Sequence, residues 1–260
     1  MPYDVVMDVP APSSGVIARA SAVLTALSRH EPDGSTTSVL AREASLPRAT
    51  THRLLADMAE AGLIDRDVRN GRWHLGSQIY LLGTVAATRY DIVELARDSL
   101  VSVARETGES AYLSTRQGDE TVCVATEEGS FPLRSHVLQV GTRFPLGVAS
   151  AGLAILAHLP KEEQDRVIAA ITPEPTWRDP HDGAGIRRRI ARTRRTGYAE
   201  NPGLIVEGSW GLGAAVFDSA GNPLWALSIT GVQTRFGRER LPRLGRLLMD
   251  EAHNLTKRLG

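Results

Sequence analysis

Asn70-Gly71 stands between two short runs of strand-forming residues, Leu63–Arg66 and Arg72–Leu75, with Val68-Arg69 completing the connection. Asn-Gly takes the backbone conformations of a tight hairpin at little cost, so this short stretch fixes an antiparallel pair. What precedes it is helical. Ile17, Ala20, Val23, Leu24 and Leu27 share one helix face from Val16 onward, and Glu31-Pro32-Asp33-Gly34 is a turn cluster that ends that helix. Ser35 or Thr36 can cap a second, short helix through Val39, Leu40 and Ala44. After the tight connection Ser45-Leu46-Pro47, a third helix is expected from about Arg48 to Ala61, with Leu54, Leu55 and Met58 inward and Gly62 as its C-terminal stop. Three helices with a tight turn before the third, followed by a hairpin, make a winged helix-turn-helix.

That arrangement suits DNA. Arg48, Thr50, His52 and Arg53 lie near the start of the third helix, where backbone N–H groups and the helix dipole also favour phosphate. Arg69 and Arg72, with Arg66, sit on the hairpin, in reach of a neighbouring strand backbone or minor groove. Bulk charge does not help: thirty basic and thirty acidic residues cancel, and all the basic residues except Lys161 and Lys257 are Arg. Contact with nucleic acid must therefore come from local placement. The alternative is a winged helix used only for protein contacts, a use that commonly loses basic residues at these two places.

Residues 1–14 are expected to fray, 15–75 form the winged helix, 76–90 a linker helix and 91–260 a second domain. Beyond a helix over Ile92–Thr107, strands are expected at Ser110–Thr115, Thr121–Thr126, Leu133–Val140, Leu212–Asp218 and Pro223–Thr230. Helices are expected at Ala149–His158, Lys161–Ile171, Ile186–Thr196 and from about Arg238 to Leu259. Strands and helices that do not alternate strictly imply an α+β fold with a mainly antiparallel sheet. Hydrophobic content of 42% with 23% charged residues is that of a globular chain, and no apolar run nears the ~20 residues of a membrane helix. The opening MPYDVVMDVPAPSS has two acids and no Lys or Arg, unlike a secretory leader, and the lone Cys123 forms no internal disulfide. A cytoplasmic protein without membrane contact is expected.

Signs of chemistry are weak. Ser150, in Ala149-Ser150-Ala151-Gly152, reads equally as a helix cap or as part of a ligand cradle. A nucleophile elbow would need Gly where Val148 stands. The histidines, at 30, 52, 74, 136, 158, 181 and 253, show no metal-ligand spacing, so neither metal nor cofactor is expected. The Arg-rich run 187–195 wraps several faces of a helix, with Ile186 and Ile190 marking the buried one, and reads as a solvated helix. Gly208-Ser209-Trp210-Gly211-Leu212-Gly213 precedes a strand instead of the helix of a phosphate loop.

Five fragments, in order, resemble one family. Leu46-Pro47-Arg48-Ala49-Thr50-Thr51-His52-Arg53-Leu54-Leu55 looks like the recognition helix of the isocitrate lyase regulator (IclR) family of bacterial transcription factors. Gly141-Thr142-Arg143-Phe144-Pro145-Leu146, Gly197-Tyr198-Ala199, Ala214-Ala215-Val216-Phe217-Asp218 and Ala226-Leu227-Ser228-Ile229-Thr230-Gly231 resemble its second domain. The resemblance implies a DNA-binding regulator contacting a palindromic double-stranded operator as a homodimer or dimer of dimers, under control of a small-molecule effector. Its polar effector contacts, carried over, fall on Ser150, Ala151, Asn201, Ser228 and Thr230, with Gly211 where a cysteine is frequent. Ser228 and Thr230, two apart on a strand, share a face. Leu133, Phe144, Leu146, Leu153, Trp210 and Leu212 are the apolar residues nearest them in sequence. Gly147, Ala149, Gly152-Leu153, Gly203-Leu204 and Gly211 depart from the family toward small or apolar residues. They imply a roomier, more apolar pocket and an aromatic or otherwise apolar carboxylic acid in preference to glyoxylate or pyruvate. The rivals are a hydrolase-like enzyme using the same pocket, and a DNA-binding regulator without an effector.

Overall fold

The structure is a computed structural model that describes residues 15–87, 92–133, 137–171 and 181–259. The tail expected at 1–14 lies outside the described residues, as do the last residues of the 76–90 segment. Contacts divide the chain into two compact units, Met1–Tyr90 and Asp91–Gly260.

In the first unit, α1 (Val16–Ser28), α2 (Thr37–Glu43) and α3 (Arg48–Glu60) precede an antiparallel pair, β1 (Ile64–Arg66) and β2 (Trp73–Leu75), and then α4 (Ser77–Ala87). Thr36 caps α2, its side chain accepting from Val39 N at 3.4 Å. Val23, Leu27, Leu40, Leu55, Ile64 and Trp73 form the core, so α1, α2, α3 and the hairpin all contribute to one small interior. The hairpin closes through a longer turn than Asn-Gly alone requires. Asp67 N donates to Arg72 O, while the Asp67 and Asn70 side chains accept from Arg69 N and Arg72 N, both at 2.8 Å.

The second unit runs α5 (Ile92–Thr107), β3 (Ser110–Gln117), β4 (Glu120–Glu127), β5 (Arg143–Pro145), α6 (Ser150–His158), α7 (Lys161–Ala170) and α8 (Gly183–Thr196). β6 (Ala199–Pro202), β7 (Ser209–Phe217), β8 (Pro223–Val232) and α9 (Leu241–Leu259) follow. Among the described residues, six strands form one sheet in the order β5-β4-β3-β8-β7-β6, every neighbouring pair antiparallel. Strand alternation sorts the side chains to two faces. Leu113, Leu212, Ala214, Leu227 and Ile229 meet α5 and α9 on one face. Ala226, with Ala215 beside it, belongs to a second core with α6, α7 and α8 on the other. This is the α+β, mainly antiparallel architecture expected.

Two local expectations fail. In the span 133–140 the described residues form no strand; the chain turns there, with Thr142 N donating to Gln139 O and Gly141 N to Cys123 O, and the edge strand forms later, at Arg143–Pro145. β6 was not anticipated, because its Ala-Glu-Asn-Pro sequence carries no strand-forming pattern.

Candidate ligand site and nucleic-acid interface

At the start of α3, Arg48, His52 and Arg53 are exposed, Thr50 is half-buried and Thr51 is fully buried, its hydroxyl donating to Pro47 O at 3.2 Å. The helix thus turns two arginines and a histidine outward while Thr51, Leu54, Leu55 and Met58 hold it to the core. On the hairpin, Arg69 is 90% exposed and only loosely approaches Asp67, at 3.6 Å. Arg66 lies over the Trp73 ring at 5.2 Å, and Arg72 donates to Gly34 O at 3.0 Å. Arg72, expected to reach for DNA, is partly spent on holding the hairpin to the α1–α2 connection. The freest hairpin cation is Arg69.

In the second unit a recess opens on the α6 face of the sheet. Ser114, Thr121, Thr142, Ser150, Ser209, Ser228 and Thr230 bring hydroxyls to it, and Asn201 an amide. Val137, Leu138, Phe144, Ile205 and Val206 supply apolar surface, with Ala149, Ala151 and Gly211 between. No charged side chain lines it among the described residues. The recess measures about 510 Å³ with the open space at its mouth included, and the cavity proper about 30 Å³.

Its polar end is the first turn of α6. The N–H groups there have no acceptor within the helix, and the N-cap, Ala149, has no side chain to offer one. Ser150 is the first helical residue and not the cap. Glycines on β7 let the helix start this close to the sheet: a Cβ at Gly213 would fall 2.6 Å from Ser150 C and O, and one at Gly211 would fall 3.0 Å from Ser150 Oγ. On the floor, Ser228 is 1% exposed and its Oγ has no hydrogen-bond partner. Thr230 Oγ1 approaches the Tyr112 hydroxyl at 3.4 Å.

Six of the eight residues expected to hold an effector therefore line one recess: Ser150, Ala151, Asn201, Gly211, Ser228 and Thr230. Leu146 and Trp210 do not. Leu146 is wholly buried beneath α6, and Trp210 points to the opposite face of the sheet, stacked on Phe236 at 6.3 Å. Leu212 shares that opposite face, Leu153 is core and Leu133 is exposed. Asn201 faces the recess with its amide already engaged, Nδ2 donating to Val148 O and Oδ1 accepting from Leu204 N, each at 3.0 Å. The space beside Gly211 is taken by Ser150, and the wall is richer in hydroxyls than the expected apolar pocket. Ser114 was missed although Ser110, Tyr112 and Ser114 alternate along β3; Ile205 and Val206, in a connection without periodicity, left no signal.

Both units match one family. The IclR helix-turn-helix domain matches residues 16–68, and the C-terminal domain of bacterial IclR transcriptional regulators matches 84–257. The chain belongs to the IclR family. Among IclR relatives, the regulator KipR of Bacillus subtilis is 28% identical over 244 residues, covering 92% of this chain and 95% of its own. The repressor AllR of Klebsiella pneumoniae is 28% identical over 237 residues, 88% of this chain and 85% of its own. An IclR regulator from Alicyclobacillus acidocaldarius superposes with a TM-score of 0.76 at 25% identity, covering 97% of this chain and 99% of that one. An IclR homologue from Microbacterium hydrocarbonoxydans, solved with 4-hydroxybenzoate, superposes with a TM-score of 0.75 at 23% identity, over 94% and 99%. This IclR-family chain is a DNA-binding transcriptional regulator and not an enzyme. No helix among the described residues is long and apolar enough to cross a membrane.

Proposed function

We propose that this regulator, in the cytoplasm, binds a palindromic operator as a homodimer or dimer of dimers, and that a small carboxylic acid with an aromatic or otherwise apolar body enters the recess and changes operator affinity. Arg48, Thr50, His52 and Arg53 contact one half-site from α3. Arg69 reaches the flanking backbone, and Arg72 adds what its tie to Gly34 leaves free. One recognition helix reads one half-site, so a palindrome calls for two copies. The surface that supports their pairing is α4, where Tyr80 is 74%, Leu81 55%, Leu82 53% and Val85 72% exposed. A helix this apolar needs a partner.

The observation that carries the effector reading is the Ser228 hydroxyl. It is buried and unpaired on the floor of a recess lined at one end by Ala149, Ser150 and Ala151, where α6 begins without a side-chain cap. A carboxylate would meet both demands. Phe144, Val137, Leu138, Ile205 and Val206 then surround the ligand's body. Volume favours a second reading. The enclosed cavity of about 30 Å³ is far smaller than the roughly 300 Å³ or more of most ligand pockets, which favours a short keto acid unless Ile205 and Val206 move outward. Thermal-shift titration with benzoates against glyoxylate and pyruvate separates the two, and gel shift on the protein's own upstream DNA with each acid tests the coupling. Stabilisation by the short acids alone refutes the aromatic preference, and no response to any acid refutes the effector.

A further inference from the structure

Arg189, on α8, is half-buried, with its guanidinium set against the loop that leads into α6. Nη1 donates to Gly147 O at 3.0 Å, and Nη2 donates to Val148 O at 3.1 Å and to Glu200 O at 3.5 Å. Nε is buried with no acceptor. No carboxylate among the described residues pairs with this cation. The Glu200 carboxylate goes to Arg192 at 2.8 Å, and Asp165, the nearest acid to α8 on α7, goes to Arg187 at 2.8 Å. Burial lowers its pKa to about 10, which leaves it charged at neutral pH. A cation drawn partly out of water without a counter-ion weakens a fold unless another group uses the charge.

The user is close by. Val148 O, which takes the Arg189 bond, also accepts from Asn201 Nδ2 at 3.0 Å and faces His181 Nε2 at 3.4 Å. That carbonyl shares its peptide unit with the Ala149 N–H, and Ala149, Ser150 and Ala151 line the recess. The guanidinium therefore stands one peptide behind a wall that carries no charge of its own. We infer that Arg189 is the residue that makes the recess choose an anionic ligand over a neutral one of the same shape, acting through the Gly147–Ala149 segment and the first turn of α6. The inference rests on reading the recess as the ligand site. Arg189 is a positioning and field-setting residue, since it does not itself line the recess. A bond to the carbonyl, one peptide and one N–H···O bond place ligand and cation roughly 10 Å apart, where a unit charge at an effective dielectric near 20 changes affinity on the order of tenfold.

The test is calorimetry on the full chain with two acid–amide pairs, benzoate with benzamide and pyruvate with pyruvamide. Wild type is expected to prefer the acid of whichever pair binds by about tenfold or more. Arg189→Gln keeps a donor for Val148 O and removes the charge; it should cut the preference by about tenfold while the amide still binds. Arg189→Lys keeps the charge and should keep the preference, though both members of the pair bind more weakly. Should Arg189→Gln not fold, Arg189→Lys decides, and a lost preference there overturns the assignment. Three other results overturn it: an unchanged preference in Arg189→Gln, equal loss of acid and amide binding in both variants, or a wild type indifferent to charge. A wild type that binds neither acid nor amide overturns the ligand reading and this inference together, whereas the other results leave the ligand reading standing.

Discussion

Replacing Ser228 with Ala should move stability and ligand response in opposite directions. The hydroxyl is 1% exposed and unpaired, so in the ligand-free protein it has lost water and gained nothing. Leaving such a group buried costs about 1–3 kcal/mol. The adjoining cavity of about 30 Å³ exceeds the 10–15 Å³ one water needs, and a water there would offset part of that cost, so the lower end applies. Ser228→Ala should therefore stabilise the free protein by about 1 kcal/mol, or roughly 2–4 °C in the melting transition of a domain this size. The methyl cannot donate to a carboxylate, and a lost hydrogen bond to a charged group is worth about 1.5–3 kcal/mol, or ten- to a hundredfold in affinity. Differential scanning calorimetry with and without the stabilising acid reads both effects. A variant less stable than wild type that keeps the full ligand shift would refute the reasoning, because it would mean that the hydroxyl is satisfied by the protein and ignored by the ligand.

Other perturbations test the remaining surfaces. Arg53→Ala should weaken operator binding by about 1–3 kcal/mol if the side chain reads a base and less if it meets phosphate; unchanged gel-shift affinity with Arg48 and Arg53 both replaced would remove α3 as the recognition helix. Leu82→Asp with Val85→Asp should give monomers in sedimentation, and a dimer of undiminished strength would rule out α4 as the pairing surface. Gly213→Ala, whose Cβ would meet backbone atoms at 2.6 Å, should cost about 1–3 kcal/mol in urea unfolding and more than Gly211→Ala, whose nearest obstacle is a rotatable hydroxyl. Burial pushes the Cys123 thiol up to about 12, so the thiolate is scarce at pH 8. Iodoacetamide should label it only as the protein unfolds, and labelling at the rate of a free thiol would contradict that placement.

The sequence is most legible where one element's periodicity carries the information. The winged helix was readable because Leu54, Leu55 and Met58 mark the inner face of α3 and the connection at 67–72 is rich in turn formers, two of whose side chains, Asp67 and Asn70, accept backbone N–H groups. Ser228 and Thr230 were placed correctly on one face by the two-residue repeat of a strand. The same repeat, applied to β7, separates Trp210 from Ser209 and Gly211, and proximity in sequence misled where alternation would have served. The apolar spacing across Leu133–Val140 looks like a strand, yet Gln139 and Thr142 bond to one another and turn the chain before Arg143 can pair with Val122. Nothing local in the sequence announces that outcome.

The recess itself has three sources, and only one of them is periodic. Hydroxyls arrive from β3, β4 and β8 by strand alternation, which a reader can count. Helix N–H groups arrive because Gly211 and Gly213 leave β7 bare enough for α6 to begin against it, and in sequence Gly211 looks like a lost functional group. The positive charge arrives from α8 inside an arginine run that reads as a solvated helix. Most of that run is indeed outward: Arg187 and Arg192 meet acids at the surface, and Arg188 and Arg195 are exposed. Arg189 differs from them only in facing the Gly147–Val148 carbonyls. Helical phase relative to Ile186 and Ile190 puts it beside the buried stripe, so its direction could be counted, but the carbonyls it meets lie some forty residues earlier in the chain. A site assembled from groups that far apart becomes visible only when the fold has brought them together.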